Sequence, residues 1–106
     1  MWLFCKSGFF SAVQHKNDSG TIHVRARFNG DLERLCGVHG VASKVTFTPD
    51  HDYAYRMDFT RDQWSRIVQA EAQEIDYGNF KASVHDGTAR DSAYLNCWSA
   101  MRRAQS

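Results

Sequence analysis

Thr21-Ile22-His23-Val24-Arg25-Ala26-Arg27 alternates between apolar and polar side chains without a break. Ile22, Val24 and Ala26 share one side of an extended chain, and Thr21, His23, Arg25 and Arg27 share the other. Successive side chains of a β-strand point to opposite faces. The stretch therefore predicts a strand with one face in a core and the other displaying cationic donors.

Upstream, residues 2–6 and 8–14 read as one extended segment, kinked or bulged at Gly8. Trp2 and Phe4 lie on one side and Leu3 and Cys5 on the other, followed by Phe9, Phe10, Ala12 and Val13. A strand that is apolar on both faces belongs in the middle of a sheet or beneath a cover. Lys16-Asn17-Asp18-Ser19-Gly20 is a polar turn that returns the chain as a hairpin into 21–27.

Downstream, Asn29 is a helix N-cap, Leu32, Leu35 and Cys36 follow at helical spacing, and Gly37 suits the C-terminal end. Residues 44–48 alternate again, with Val45 and Phe47 inward. After the turn Pro49-Asp50-His51-Asp52, Tyr53, Tyr55, Met57 and Phe59 alternate with Ala54, Arg56 and Asp58 as a second hairpin. Thr60 and Gln63 have capping-box spacing, ahead of a helix burying Trp64, Ile67, Val68 and Ile75 with Ala72 between them. Asp76-Tyr77-Gly78-Asn79 ends that helix, and 80–84 form a further helical piece. Asp91 or Ser92 then caps a last helix carrying Tyr94, Leu95, Trp98 and Met101, with Arg102 and Arg103 at its C-terminus, where the helix dipole favours cations. The expected fold is a single α+β domain over 1–106 in the order ββαββαα. It has a four-stranded, mostly antiparallel sheet with helices packed on one face, and a ferredoxin-like variant falls within that class.

Thirteen basic and twelve acidic residues leave a formal charge of +1. A dedicated DNA-backbone binder is far more basic, so a nucleic-acid role has to rest on a local patch. Lys6 interrupts the apolar opening, and no stretch approaches the ~20 apolar residues of a membrane span. We therefore expect a cytoplasmic protein with no membrane contact, and read Cys5, Cys36 and Cys97 as reduced core residues.

Several segments taken together carry a resemblance. They are Met1-Trp2-Leu3-Phe4, Gly8-Phe9-Phe10-Ser11, Val24-Arg25-Ala26-Arg27, Asp52-Tyr53-Ala54-Tyr55-Arg56, Trp64, Asp76-Tyr77-Gly78-Asn79-Phe80-Lys81 and the closing Tyr94, Trp98 and Met101. In this order they resemble a family of small bacterial proteins to which no activity is attached. The resemblance covers nearly the whole chain, with shorter loops at 15–20 and 37–44, and it implies no catalytic residue.

The leading candidate site is the cationic strand face of His23, Arg25 and Arg27, joined by Lys44 and Arg56. Arginine forks suit phosphate or carboxylate, and Phe9 or Tyr55 nearby offers stacking for a single-stranded nucleic acid. The competing reading is a solvated face whose arginines pair with Asp31, Glu33 or Asp58. Tyr77, Asn79 and Lys81 form a second polar cluster, in which Asp76 and Asn79 also have ordinary turn and capping roles and Gly78 permits positive φ.

Asp50-His51-Asp52 and His85-Asp86 have the acid–histidine pairing of general bases and metal sites. Cys36 and His39 supply only half of a zinc set, so no metal or cofactor is expected. Cys5 and Cys97 lack any nucleophile motif around them. The expectation is a small non-enzymatic binding or regulatory domain acting through its cationic sheet face on a protein or nucleic-acid partner. Regulation, or phage and mobile-element interference with a host, is the setting in which such domains serve. The aromatic content also permits a homodimer. The alternative is a small metal-assisted hydrolase or nuclease using the acid–histidine turns.

Overall fold

A computed structural model describes residues 1–105. The chain divides into two compact units, one over Met1–Ile75 and one from Asp76 onward. The first holds five strands and two helices. These are β1 (Trp2–Cys5), β2 (Gly8–His15), β3 (Asp18–Ala26), α1 (Asp31–His39), β4 (Thr46–Phe47), β5 (Tyr55–Thr60) and α2 (Arg61–Gln73). All neighbouring strands run antiparallel, in the spatial order β1-β2-β3-β5-β4. The α+β class holds, but the sheet has five strands, and three of them precede the first helix. That order departs from the βαββαβ succession of a ferredoxin-like fold.

The extra strand comes from Gly8. Residues 2–14 are a tight hairpin, with Cys5 opposite Gly8 and Trp2 opposite Ser11, so β1 is an edge strand and only β2 is central. Gly8 has φ +147, in the region that favours glycine, and a Cβ there would fall inside the carboxyl group of Asp31. Asp31 is fully buried. Its Oδ2 accepts the Phe9 N–H at 3.1 Å, and its Oδ1 accepts from Arg34 Nη1 at 3.1 Å. Arg34 Nη1 also reaches the Ser7 carbonyl at 3.0 Å. One carboxyl group thus ties the β1–β2 turn to the first turn of α1.

The alternation that opens the sequence reading is realised in β3. Ile22, Val24 and Ala26 are buried with Phe10, Ala12, Met57 and Phe59. Against that face α1 contributes Leu32, Leu35 and Cys36, and α2 contributes Trp64 and Ile67. The α1 boundaries move slightly: Gly30 at φ 92 precedes the helix in place of Asn29, and Gly40 at φ 67 ends it, with Gly37 inside. The Thr60–Gln63 capping box forms as expected. α2 stops at Gln73, however, short of Ile75, and both Ile75 and Ala72 on the last turn of the helix are exposed. The 44–48 alternation survives only as two residues, whose Phe47 is 59% exposed and stacks on Tyr55 at 5.1 Å; Val45 packs on the core.

The second unit contains α3 (Phe80–Ser83) and α4 (Ala89–Ala104). The Asn79 side chain accepts the Ala82 N–H at 3.0 Å, which is the capping role. Phe80 lies between Tyr77 and Tyr94, at ring separations of 5.7 and 5.9 Å. Positive φ is found at Gly8, Gly30, Gly40 and Gly87, and not at Gly78. Thr88 caps α4, because Asp91 is turned back to accept the Asp86 and Gly87 N–H groups. Of the apolar residues that the last helix carries, Tyr94 is buried, whereas Leu95, Trp98 and Met101 are exposed.

Gly8→Ala combines an unfavourable φ with a steric conflict against a buried carboxyl group. Asp31→Ala leaves the Phe9 N–H without its acceptor. We expect each to lower unfolding stability by about 2–4 kcal/mol, read as a reduced urea midpoint, while Gly37→Ala, with open space around it, leaves the midpoint unchanged or raises it.

Candidate cationic site on the sheet

Antiparallel register sets the site. Ser11 faces Arg25, Arg25 faces Arg56, and Arg56 faces Thr46, in one row across four strands. In the next row Val13 faces His23 and His23 faces Asp58. Two arginines therefore stand directly opposite each other, an arrangement that costs about 0.2–1 kcal/mol when nothing neutralises it.

The carboxylates suggested as partners are engaged elsewhere or play no part. Asp31 holds Arg34, and Asp58 holds His23, with Nδ1 and Oδ1 2.6 Å apart; His15 Nε2 lies 3.9 Å from the other Asp58 oxygen. Arg25 donates from Nη2 to Ser11 Oγ at 2.9 Å, and Arg56 donates from Nη2 to Thr48 Oγ1 at 2.9 Å. Among the described residues neither is bonded to a carboxylate. Arg25 Nε is buried and has no hydrogen-bond partner.

Tyr53 organises the other end of the site. It is buried and lies outside β5, and its ring carries the Arg25 guanidinium at 4.6 Å and the Arg27 guanidinium at 3.9 Å. Such contacts are worth about 0.5–2 kcal/mol, depending on desolvation. Arg27 also donates to the carbonyl of Asp52 at 2.8 Å and to its carboxylate at 3.1 Å, so its charge is largely answered. Alternation alone assigns Tyr53 to the core row of β5, and it gives no sign that the chain leaves the strand before this residue.

A pocket of about 430 Å3 opens beside the row, lined by His23, Lys44, Thr46, Arg56, Met57 and Asp58. Of the expected site residues, His23, Lys44 and Arg56 meet here, with Arg25 opposite Arg56 and Arg27 held at the Tyr53 end. Tyr77 and Lys81 belong to the second unit, where Tyr77 packs on Phe80 and Lys81 Nζ sits 4.3 Å above the Trp98 ring.

The acid–histidine turns are taken up differently from the sequence pattern. His51 is exposed and its neighbour Asp52 holds Arg27. His85 Nδ1 pairs with Asp91 at 2.9 Å, and Asp86 instead accepts from Thr88, whose hydroxyl and N–H hold its carboxyl below the usual range. Cys36 Sγ contacts Met57 Sδ, while His39 Nε2 lies 3.6 Å from Glu71 Oε1. Among the described residues no three His, Cys, Asp or Glu side chains gather as a metal-holding group, and no helix is long and apolar enough to cross a membrane.

The chain matches no protein-family model, no curated protein and no solved structure.

The cysteines divide by burial: Cys5 and Cys36 are buried, and Cys97 is exposed, against the expectation of three core thiols. Burial, with the Glu71 carboxylate 3.4 Å from Sγ, pushes the Cys5 thiol up to about 12. A thiol raised from 9.0 in this way favours the folded state fully below pH 9 and progressively less as pH rises towards 12. Stability is accordingly expected to fall over that window, and Cys5→Ala flattens the decline in a urea titration against pH. In native protein iodoacetamide labels Cys97 and spares Cys5 and Cys36, as a mass spectrum of the tryptic peptides reports.

Proposed function

We propose that this chain is a binding module whose sheet pocket takes the phosphates of a single-stranded nucleic acid. The observation that carries the reading is the Arg25–Arg56 pairing, two arginines at paired positions of adjacent strands that bond hydroxyls, and no carboxylate among the described residues. Lys44 joins Arg56 in the pocket lining, Arg25 stands opposite Arg56 on the adjacent strand, and the lining carboxylate Asp58 is hydrogen-bonded to His23. An anion drawn to this row meets donors already fixed by Ser11, Thr48 and Tyr53. Pre-ordered side chains lose less entropy when the ligand arrives.

Phosphate in a flexible strand suits the geometry better than phosphate on a rigid duplex. The cations lie in a short row on a sheet, not along a helix or ribbon shaped for a groove. The near-neutral overall charge confines attraction to this patch, so affinity is modest and depends on salt.

Fluorescence anisotropy with labelled RNA and DNA oligonucleotides tests the reading. Two or three phosphate contacts predict a log–log salt slope of about −1.4 to −2. Arg56→Ala and Lys44→Ala each reduce that slope by about 0.7 without moving the thermal midpoint by more than a degree or two. Absence of saturable binding at low salt, or binding indifferent to both substitutions, overturns the reading.

A further inference from the structure

α4 exposes a ridge that the second unit leaves uncovered. Leu95, Trp98 and Met101 follow at intervals of three along one side of the helix and are 51%, 45% and 72% exposed. Exposed apolar groups scattered singly need no explanation, but three large ones in register on a helix mark an interaction surface. Beside Trp98 and Met101 lies an open pocket of about 590 Å3, completed by Arg102, Ala104 and Gln105.

Charge narrows what fits there. Lys81 Nζ stands 4.3 Å and the Arg102 guanidinium 5.6 Å from the Trp98 ring, and Arg103 shares the last turn of α4. The carboxylates at the other end of the helix are engaged: Asp91 pairs with His85 and accepts the Asp86 and Gly87 N–H groups, and Asp86 accepts from Thr88. The apolar ridge is therefore bordered by cations at its C-terminal end, where the helix dipole is negative and offers no further welcome to an anion except through these side chains. A second copy docking ridge to ridge around Trp98 brings two sets of Lys81, Arg102 and Arg103 together, and like charges facing each other disfavour that pairing. A nucleic acid gains little from Leu95 and Met101, which present hydrocarbon and thioether where stacking needs flat rings.

We propose that this face of α4 docks an amphipathic helical segment of a partner protein, with apolar side chains on the Leu95–Trp98–Met101 ridge and glutamate or aspartate against Lys81, Arg102 and Arg103. This is helix-in-groove recognition, with a large aromatic residue as the central anchor and a charged rim that sets the orientation. This face belongs to the second unit and the sheet pocket to the first, so either proposal stands without the other.

The test uses the full chain and labelled synthetic amphipathic peptides with leucines on one face. In one peptide glutamates border the leucines, and in the other lysines replace the glutamates. The glutamate peptide is expected to bind saturably and more weakly at high salt, and the lysine peptide at least about tenfold more weakly. Trp98→Ala and Arg102→Glu each reduce the affinity of the glutamate peptide by about tenfold or more. Met101→Ser alters only a highly exposed side chain, so its loss of affinity cannot be a folding defect; circular dichroism checks all three variants. No binding of the glutamate peptide, equal binding of the two peptides, or indifference to Trp98→Ala and Met101→Ser overturns the proposal. So does a dimer of the chain alone, seen in sedimentation and dissolved by Met101→Glu, because the ridge is then covered by a second copy.

Discussion

A carboxyl group in a dry interior has to be hydrogen-bonded, and the way Asp31 meets that demand shapes the first unit. Leaving such a group unpaired is among the more costly defects a fold can carry. Here it accepts from the backbone of Phe9 and from Arg34. Its position excludes any Cβ at residue 8, so the β1–β2 turn is held to glycine. Arg34 closes the arrangement by reaching Ser7, which docks α1 against the turn that precedes β2. With β2 fixed at its start, β3 pairs along it and β5 pairs along β3.

That succession of registers also has an electrostatic consequence. Sliding β5 by one residue along β3 moves Met57 and Phe59 out of the core, so burial fixes the pairing. The same pairing then sets Arg25 against Arg56 on the other face. The fold tolerates this through a hydroxyl for each guanidinium and the Tyr53 ring beneath Arg25 and Arg27. These partners order Arg25 and Arg56 without pairing either with a carboxylate among the described residues, whereas Arg27 also pairs with Asp52. Stability of the core and availability of the cations are two results of one alignment.

Much of this was legible in the residues because it depends on short-range periodicity. The buried face of β3, the α1 and α2 core positions, the Thr60 capping box and the Asn79 cap follow from alternation, helical spacing and local turn chemistry. What escaped depends on contacts distant in sequence. Gly8 reads as a kink or bulge in one strand, and the hairpin end that it makes shows only once Asp31, twenty-three positions later, is known to occupy the space beside it. Tyr53 keeps step with Tyr55, Met57 and Phe59 and yet serves the arginines. The apolar spacing of α4 does not tell which of its residues are covered, and of them Tyr94 is buried. That His23, Arg25 and Arg56 share a sheet face, with Lys44 beside it, was readable because cations on alternate positions need a face. Its membership was blurred, because Arg27 finds Asp52 and Lys81 finds Trp98.

The central claim is that the Arg25–Arg56 opposition is held ready for an anion. Nitrogen-15 NMR of the arginine side chains tests it most directly, since the buried and unpartnered Arg25 Nε–H gives a signal distinct from those of exposed arginines. On titration with a short single-stranded oligonucleotide, the account predicts that the Arg25 and Arg56 side-chain signals shift together and saturate, while that of Arg34, bound to Asp31, stays in place. Saturable binding with Arg25 and Arg56 unmoved would contradict it.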